Sequence, residues 1–214
     1  MPRDATAKTE KTKDLYDRIA DVQNIAMKIN GYRKSVSKFL RGLKLDVGPD
    51  SLVLDAGCGT GIVTLGFEDA GYRARHVAAL DLSHKSLSVA RDEFRQKRRT
   101  AKRTGPVQGN VLSMPFADDT FDLLLSCGVL EYVPLEAGLA EAARVLKSGS
   151  KLVFIPVKPS IVGAVLELLY NFKMHPLEAV RAAASEHFNI LGNYDFPITE
   201  PIGWSKTVFL LEKK

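Results

Sequence analysis

The sequence predicts an α/β fold built on a mainly parallel sheet, and three observations carry that expectation. Short strand-like apolar runs alternate with helix-patterned segments from residue 52 to residue 157, the rhythm of a parallel sheet with helices on both faces. The first run leads into a glycine-rich turn, Asp55-Ala56-Gly57-Cys58-Gly59-Thr60-Gly61. The second run closes on an acidic residue, Asp81.

Residues 1–10 are polar and unpatterned, which predicts a flexible tail. Apolar residues at Leu15, Ile19, Val22, Ile25, Ala26 and Ile29, then Val36, Phe39 and Leu40, recur mostly at helical spacing. They predict a helical cap over 11–43, broken near Asn30-Gly31. Strands are expected at 52–56, 77–82, 121–126 and 151–157, with helices at 62–70, 84–99 and 136–146 between them. A short run at 106–108 suits an edge strand. Beyond Pro156 the rhythm changes: helical segments at 161–172 and 176–184 form an insertion over 158–186, and strand-like runs at 187–193 and 204–211 form a closing hairpin. No linker or repeat divides the chain, so a single domain over 1–214 is expected.

At 214 residues the chain can bury a core without disulfides or structural metal. No apolar run approaches the roughly 20 residues of a membrane span, and the N-terminus has no secretory pattern. A cytoplasmic protein is therefore expected. Cys58 and Cys127 are too few for a disulfide framework or a four-sulfur zinc site, so both are expected as reduced thiols. Net charge is +5, short of a polybasic nucleic-acid binder. The positive charge gathers at Arg91, Arg95, Lys97, Arg98, Arg99, Lys102 and Arg103, opposed only by Asp92 and Glu93. That run is either a solvated helix end or a contact for phosphate, RNA or anionic lipid.

The turn at 55–61 carries the chemistry. Glycines let the backbone approach a ligand and open a helix whose N–H groups face it. The spacing is Gly-x-Gly-x-Gly, and Ile62 stands where a dinucleotide fingerprint has its third glycine. Asp55 would repel a pyrophosphate and attract an ammonium group, which an amino-acid cofactor carries. Asp81 follows Gly61 by 20 residues, where a carboxylate can accept hydrogen bonds from two ribose hydroxyls. The other reading of Asp81 is a surface turn residue before a helix capped by Ser83.

Together these residues resemble the class I S-adenosylmethionine-dependent methyltransferases, whose first motif reads much like Val53-Leu54-Asp55-Ala56-Gly57-Cys58-Gly59-Thr60-Gly61. Residues 109–133 and 141–156 look like the family's segments around the third to fifth strands, so the resemblance covers about residues 35–157. Tyr16-Asp17-Arg18-Ile19-Ala20 resembles the cap signature of the subgroup that includes quinone and lipid methyltransferases.

The resemblance implies a Rossmann-like doubly wound seven-stranded sheet of order 3-2-1-4-5-7-6, with the last strand antiparallel, beneath the N-terminal helical cap. It implies S-adenosylmethionine as cofactor. Asp55, Ala56, Cys58 and the Gly57, Gly59 and Gly61 backbone would hold the methionine moiety, and Asp81 the ribose. Leu82 would cover one adenine face, Val111 would lie beside the ring, and Asn110 would accept from the adenine amino group where the family often has a carboxylate. Ser126 would line the cofactor site at the end of the fourth strand. Two departures stand out: Gln23-Asn24 replaces a common tyrosine-aspartate pair, and Ser148-Gly149 replaces a Pro-Gly turn before the fifth strand.

Methyl transfer asks for proximity and an in-line acceptor, and a general base only where the acceptor must lose a proton. Glu131 and Tyr132, just beyond the fourth strand, are the candidate catalytic residues; their alternatives are an exposed carboxylate and plain packing. His175 and His187 have no metal-ligand company and read as structural or solvated. Cys127 lacks the preceding proline of a cytosine-type nucleophile. Asp118, Asp119 and Asp122 form no convincing magnesium trio, and no metal site is expected. The expected function is direct in-line methyl transfer to a small-molecule or lipid-like acceptor held between the cap and the insertion. The apolar insertion is then a lid, or else simply core. Two other readings are an RNA methyltransferase using the 91–103 patch and an inactive cofactor-binding regulatory module.

Overall fold

The computed structural model describes residues 31–214. The tail and most of the helical cap expected over 11–43 lie outside them. Seven strands form one sheet: β1 (Leu52–Ala56), β2 (His76–Asp81), β3 (Thr104–Gln108), β4 (Phe121–Cys127), β5 (Leu146–Ile155), β6 (Phe188–Asp195) and β7 (Thr207–Lys213). They are ordered β3-β2-β1-β4-β5-β7-β6. Strand β7 runs antiparallel to both neighbours, the topology the family resemblance implies. The helices are α1 (Tyr32–Gly42), α2 (Ile62–Asp69), α3 (His84–Gln96), α4 (Arg98–Arg103), α5 (Leu135–Val145), α6 (Ile161–Tyr170) and α7 (Leu177–His187).

Alternation along each strand divides the core between the two faces of the sheet. Val53, Leu123, Leu125 and Val153 join Val36, Leu40, Val63 and Phe67 of α1 and α2. Leu54, Leu124, Leu152 and Phe154 join Leu139, Ala142, Val180 and Ala184 of α5 and α7. Both faces are covered, which explains why the central strands read as near-continuous apolar runs.

The structure departs from the sequence expectations in four places. The helix expected over 84–99 breaks at Lys97, which is extended at φ −113° and ψ 100°; its ammonium reaches back to Asp69, and α4 begins after it. The last strand starts at Thr207 rather than Trp204, because Pro201–Trp204 forms a 3₁₀ turn. Strand β5 starts at Leu146, paired with Phe121, and shifts register before Lys151. Gly149, at φ 76°, supplies that turn in place of Pro-Gly. Edge strand β3 is longer than expected, and its Pro106 is tolerated because one side of the strand is unpaired.

The insertion divides into two unlike helices. Helix α7 buries Val180, Ala183 and Ala184. Helix α6 buries only Gly163, leaving Ile161 87% and Leu168 85% exposed. Core packing therefore accounts for α7 and not for the apolar residues of α6. Among the described residues, no helix is long and apolar enough to cross a membrane.

Candidate active site at the carboxyl edge of the sheet

Sheets of this kind bind ligands beyond the carboxyl ends of their strands, where the strand order reverses. Here that point lies between β1 and β4, which pair with Ala56 opposite Ser126.

The β1–α2 turn is stitched to the end of β2. Gly57 and Cys58 both donate their N–H to the Leu80 carbonyl, at 2.8 and 2.9 Å, and Gly61 donates to Cys58. Gly59 N–H donates to Asp81 Oδ2 at 2.8 Å. The glycines serve different ends. A Cβ on Gly57 would lie 2.5 Å from Val129, and one on Gly61 would lie 2.5 Å from the Phe94 ring. A Cβ on Gly59, at φ 52°, would meet no protein atom within 4 Å. Two glycines thus admit neighbouring side chains, while Gly59 faces open space.

Asp55 is completely buried. Its Oδ2 accepts from Thr64 Oγ1 at 2.6 Å and Thr64 N–H at 3.0 Å, and its Oδ1 has no protein donor. Burial pushes its pKa up to about 7 against the opposing pull of the Thr64 bonds, with nearby Asp81 adding a smaller rise. Asp81 Oδ1 accepts from Ser83 N–H at 2.9 Å, so it clamps the turn on one side and helix α3 on the other. Ser83 caps α3 by accepting from Ser86 N–H, as the turn reading of Asp81 expects.

Ala56 and Cys58 are buried beneath the turn, and burial raises the Cys58 thiol well above its ordinary pKa, with Asp81 and Asp55 adding to the rise. Leu82 is half-buried. Val111 sits in the apolar cluster that contains Leu80 and Met114. The Asn110 side-chain oxygen accepts from Leu112 N–H at 2.9 Å, so one of its acceptor positions closes a local turn. Ser126 is 2% exposed, and its hydroxyl has no partner.

Beyond β4 the chain makes a 3₁₀ turn, Leu130–Tyr132. Glu131 is no exposed carboxylate: it is 2% exposed. Its Oε1 accepts from Val157 N–H at 2.5 Å, and its Oε2 has no donor. The Glu131 carbonyl accepts from Lys173 N–H at 3.0 Å, and the Tyr132 ring meets Phe172 edge-on with centroids 5.5 Å apart. The insertion is therefore fastened to the turn that carries both candidate catalytic residues. His175 Nε2 is buried without a partner, whereas His187 ends α7 and offers its carbonyl to Lys214 N–H.

Lys206 lies at this edge of the sheet, a placement that the sequence pattern does not reveal. It immediately precedes β7, is 7% exposed, and its Nζ lies over Gly128, where a Cβ would approach it to 2.6 Å. The only sequence signal is a lysine placed against an apolar strand. Burial raises the Cys127 thiol pKa, Lys206 opposes that rise, and Glu131 and Asp55 add to it. These charges therefore surround one strand end. Cys58 and Cys127 are both free thiols.

The basic run is partly consumed by the fold. Lys97 and Arg33 both bind Asp69, and Arg95 lies 3.6 Å from Asp92. Among the described residues no group of three metal-ligating side chains occurs. The donor set instead suits a cationic amino acid joined to a nucleoside: a buried carboxylate with a donorless oxygen, an open glycine, and an acidic clamp at the next strand.

Comparison with known proteins agrees with that chemistry. Residues 54–154 match a family model described as a methyltransferase domain. The chain is 28% identical to the demethylmenaquinone methyltransferase of Bacillus cereus over 170 residues, 78% of this chain and 71% of that one. The fold resembles geranyl diphosphate C-methyltransferase from Streptomyces coelicolor, with a TM-score of 0.70 and 18% identity over 83% of this chain and 78% of that one. It also resembles the cyclase SpnF, with a TM-score of 0.73 and 17% identity over 96% of each chain. At such identities the structural likeness speaks for the fold alone.

Proposed function

We propose that this chain is a class I S-adenosylmethionine-dependent methyltransferase and that it methylates a small-molecule or lipid-like acceptor by direct in-line displacement. The cofactor supplies an activated methyl group on a sulfonium centre. The observation that carries the reading is the Asp81 clamp, which holds the Gly59 amide and the start of α3 together.

In this reading the backbone of Gly57, Cys58, Gly59 and Gly61, with Ala56, cradles the methionine moiety above Asp55. The carboxylate of Asp55 favours the cationic end through space. Asp81 accepts from the ribose hydroxyls, Leu82 and Val111 flank the adenine, and Asn110 accepts from its amino group with its remaining position. Ser126 offers its hydroxyl between cofactor and acceptor. Glu131 and Tyr132 line the acceptor side, Glu131 through its donorless oxygen. The exposed apolar surface of α6 supports a lipid-like acceptor, as do relatives whose names specify a demethylmenaquinone and a geranyl diphosphate.

Calorimetry with S-adenosylmethionine tests the donor half. Asp81→Ala is expected to weaken binding at least about tenfold, the loss of roughly 1.4 kcal/mol of charge-assisted hydrogen bonding. Equal affinity for the variant and the wild type removes the ribose assignment.

A further inference from the structure

Lys206 is held firmly in an unusual place. Its backbone forms an isolated antiparallel bridge with Val157, and its N–H donates to Ile202 at 2.9 Å. The adjoining residues are bonded as well, Thr207 N–H to Pro156 and Lys158 N–H to Ser205. Because β7 is antiparallel, its first residues stand at the edge where the parallel strands end. The ammonium is thereby aimed across β5 at Gly128, just past β4.

Lysine is rarely buried unless paired, and an unpaired buried charge is costly. Among the described residues, the Lys206 ammonium makes no hydrogen bond or ion pair. Two nearby buried groups also await partners: the Ser126 hydroxyl and Glu131 Oε2. The three groups lie at the end of β4, on the turn that follows it and at the residue before β7.

Building on the methyl-transfer reading, we infer that Lys206 binds the acceptor through a single ionised oxygen, a phenolate or enolate, at the end of β4. The ammonium is a point charge and suits one oxygen, whereas forked recognition of carboxylate or phosphate is the strength of arginine. The charges around the Cys127 thiol are one cation, Lys206, and two carboxylates, Glu131 and Asp55. The single cation there can match one anionic oxygen and leaves the further charges of a phosphate or diphosphate unmatched. Ionisation is simple acid–base chemistry: the acceptor hydroxyl gives its proton to solvent water, and the oxygen anion left behind pairs with the ammonium. The electron-rich conjugated anion is then the nucleophile, without a separate base having to act during transfer.

The probe is 4-nitrophenol, whose visible phenolate band reports ionisation, added to protein with and without S-adenosylhomocysteine. Wild-type protein is expected to ionise bound 4-nitrophenol at least about one pH unit below the free phenol, a tenfold preference for the anion. Lys206→Met is expected to lose this shift while S-adenosylhomocysteine affinity by calorimetry stays within about twofold. An unchanged shift in the variant overturns the assignment. Wild-type protein provides a second test that does not depend on the variant's folding. It should bind 4-nitrophenolate at least about tenfold tighter than neutral 4-nitroanisole. Equal binding overturns the anion site, and tighter binding of 4-nitrobenzoate overturns the single-oxygen preference. Absence of S-adenosylhomocysteine binding would instead refute the donor reading, while the arm without it still judges Lys206.

Discussion

The proposed donor and acceptor sides of the sheet edge are built on different terms. On the donor side, the ends of β1 and β2 and the turn between them hold their polar groups mostly through internal bonds: Asp81 to Gly59 and Ser83, Asp55 Oδ2 to Thr64. On the proposed acceptor side, at the end of β4 and just before β7, the Ser126 hydroxyl and Glu131 Oε2 are buried without partners, Lys206 is 7% exposed, and α6 shows apolar residues to solvent. In the proposed reading, the contrast is that of a preorganised half and a half whose groups are completed by what binds there.

The glycine turn gives the largest way to break this contrast. Gly61→Val puts a Cβ within 2.5 Å of Phe94 at φ 85°, and is expected to cost about 3 kcal/mol or more, lowering the melting temperature by roughly 10 °C. Gly59→Ala meets no protein atom and should cost only about 1–2 kcal/mol of left-handed strain, yet weaken S-adenosylmethionine binding in calorimetry at least tenfold. If both variants lose only stability, Gly59 does not face the cofactor.

Glu131→Ala is the acceptor-side counterpart. It leaves Val157 N–H without its 2.5 Å acceptor, an expected loss of about 1–3 kcal/mol in chemical denaturation, with cofactor affinity unchanged. A drop in cofactor affinity comparable to that of Asp81→Ala would erase the division between the two sides.

Asp55 links stability to pH. Its folded-state pKa is raised from 3.8 to about 7, so the stability it contributes is fully present below pH 3.8 and is lost as pH rises through about 7. Asp55→Asn should flatten that slope, so the variant gains melting temperature over wild type at about pH 8 relative to pH 5. A cationic cofactor favours the ionised carboxylate, so wild-type affinity for S-adenosylmethionine should fall severalfold as pH drops below about 7 while the variant's stays level. Parallel pH curves for the two proteins would detach Asp55 from the cofactor's charge.

The smallest stability effect is expected on α6. Leu168→Ser replaces a residue 85% exposed and should change stability by less than about 0.5 kcal/mol. The same change should raise KM for a long-chain acceptor. An unchanged KM separates α6 from acceptor binding.

The glycine turn and Asp81 were legible because their signals are contiguous. Residues 52–61 and Asp81 follow strand and turn rules that act over short spans, and β1 is found at its expected bounds. The Lys97 break was not legible, since the helix yields to a partner 28 positions earlier, Asp69. Glu131 could be read as a residue near a strand end, but its burial depends on Val157 and on the insertion folded over it. Lys206 escaped altogether: periodicity marks it as one polar residue beside an apolar strand, and only the reversed direction of β7 brings it to Gly128.

That reversal also separates the two specificities along the chain. The turn proposed to meet the donor lies within 55–61, while the lysine proposed to meet the acceptor enters 145 positions after Gly61, in the connection between β6 and β7. A protein engineer could therefore exchange the 196–206 connection for one with a different group at its end, and so retune which nucleophile is welcomed, while leaving every residue of the donor turn in its original sequence.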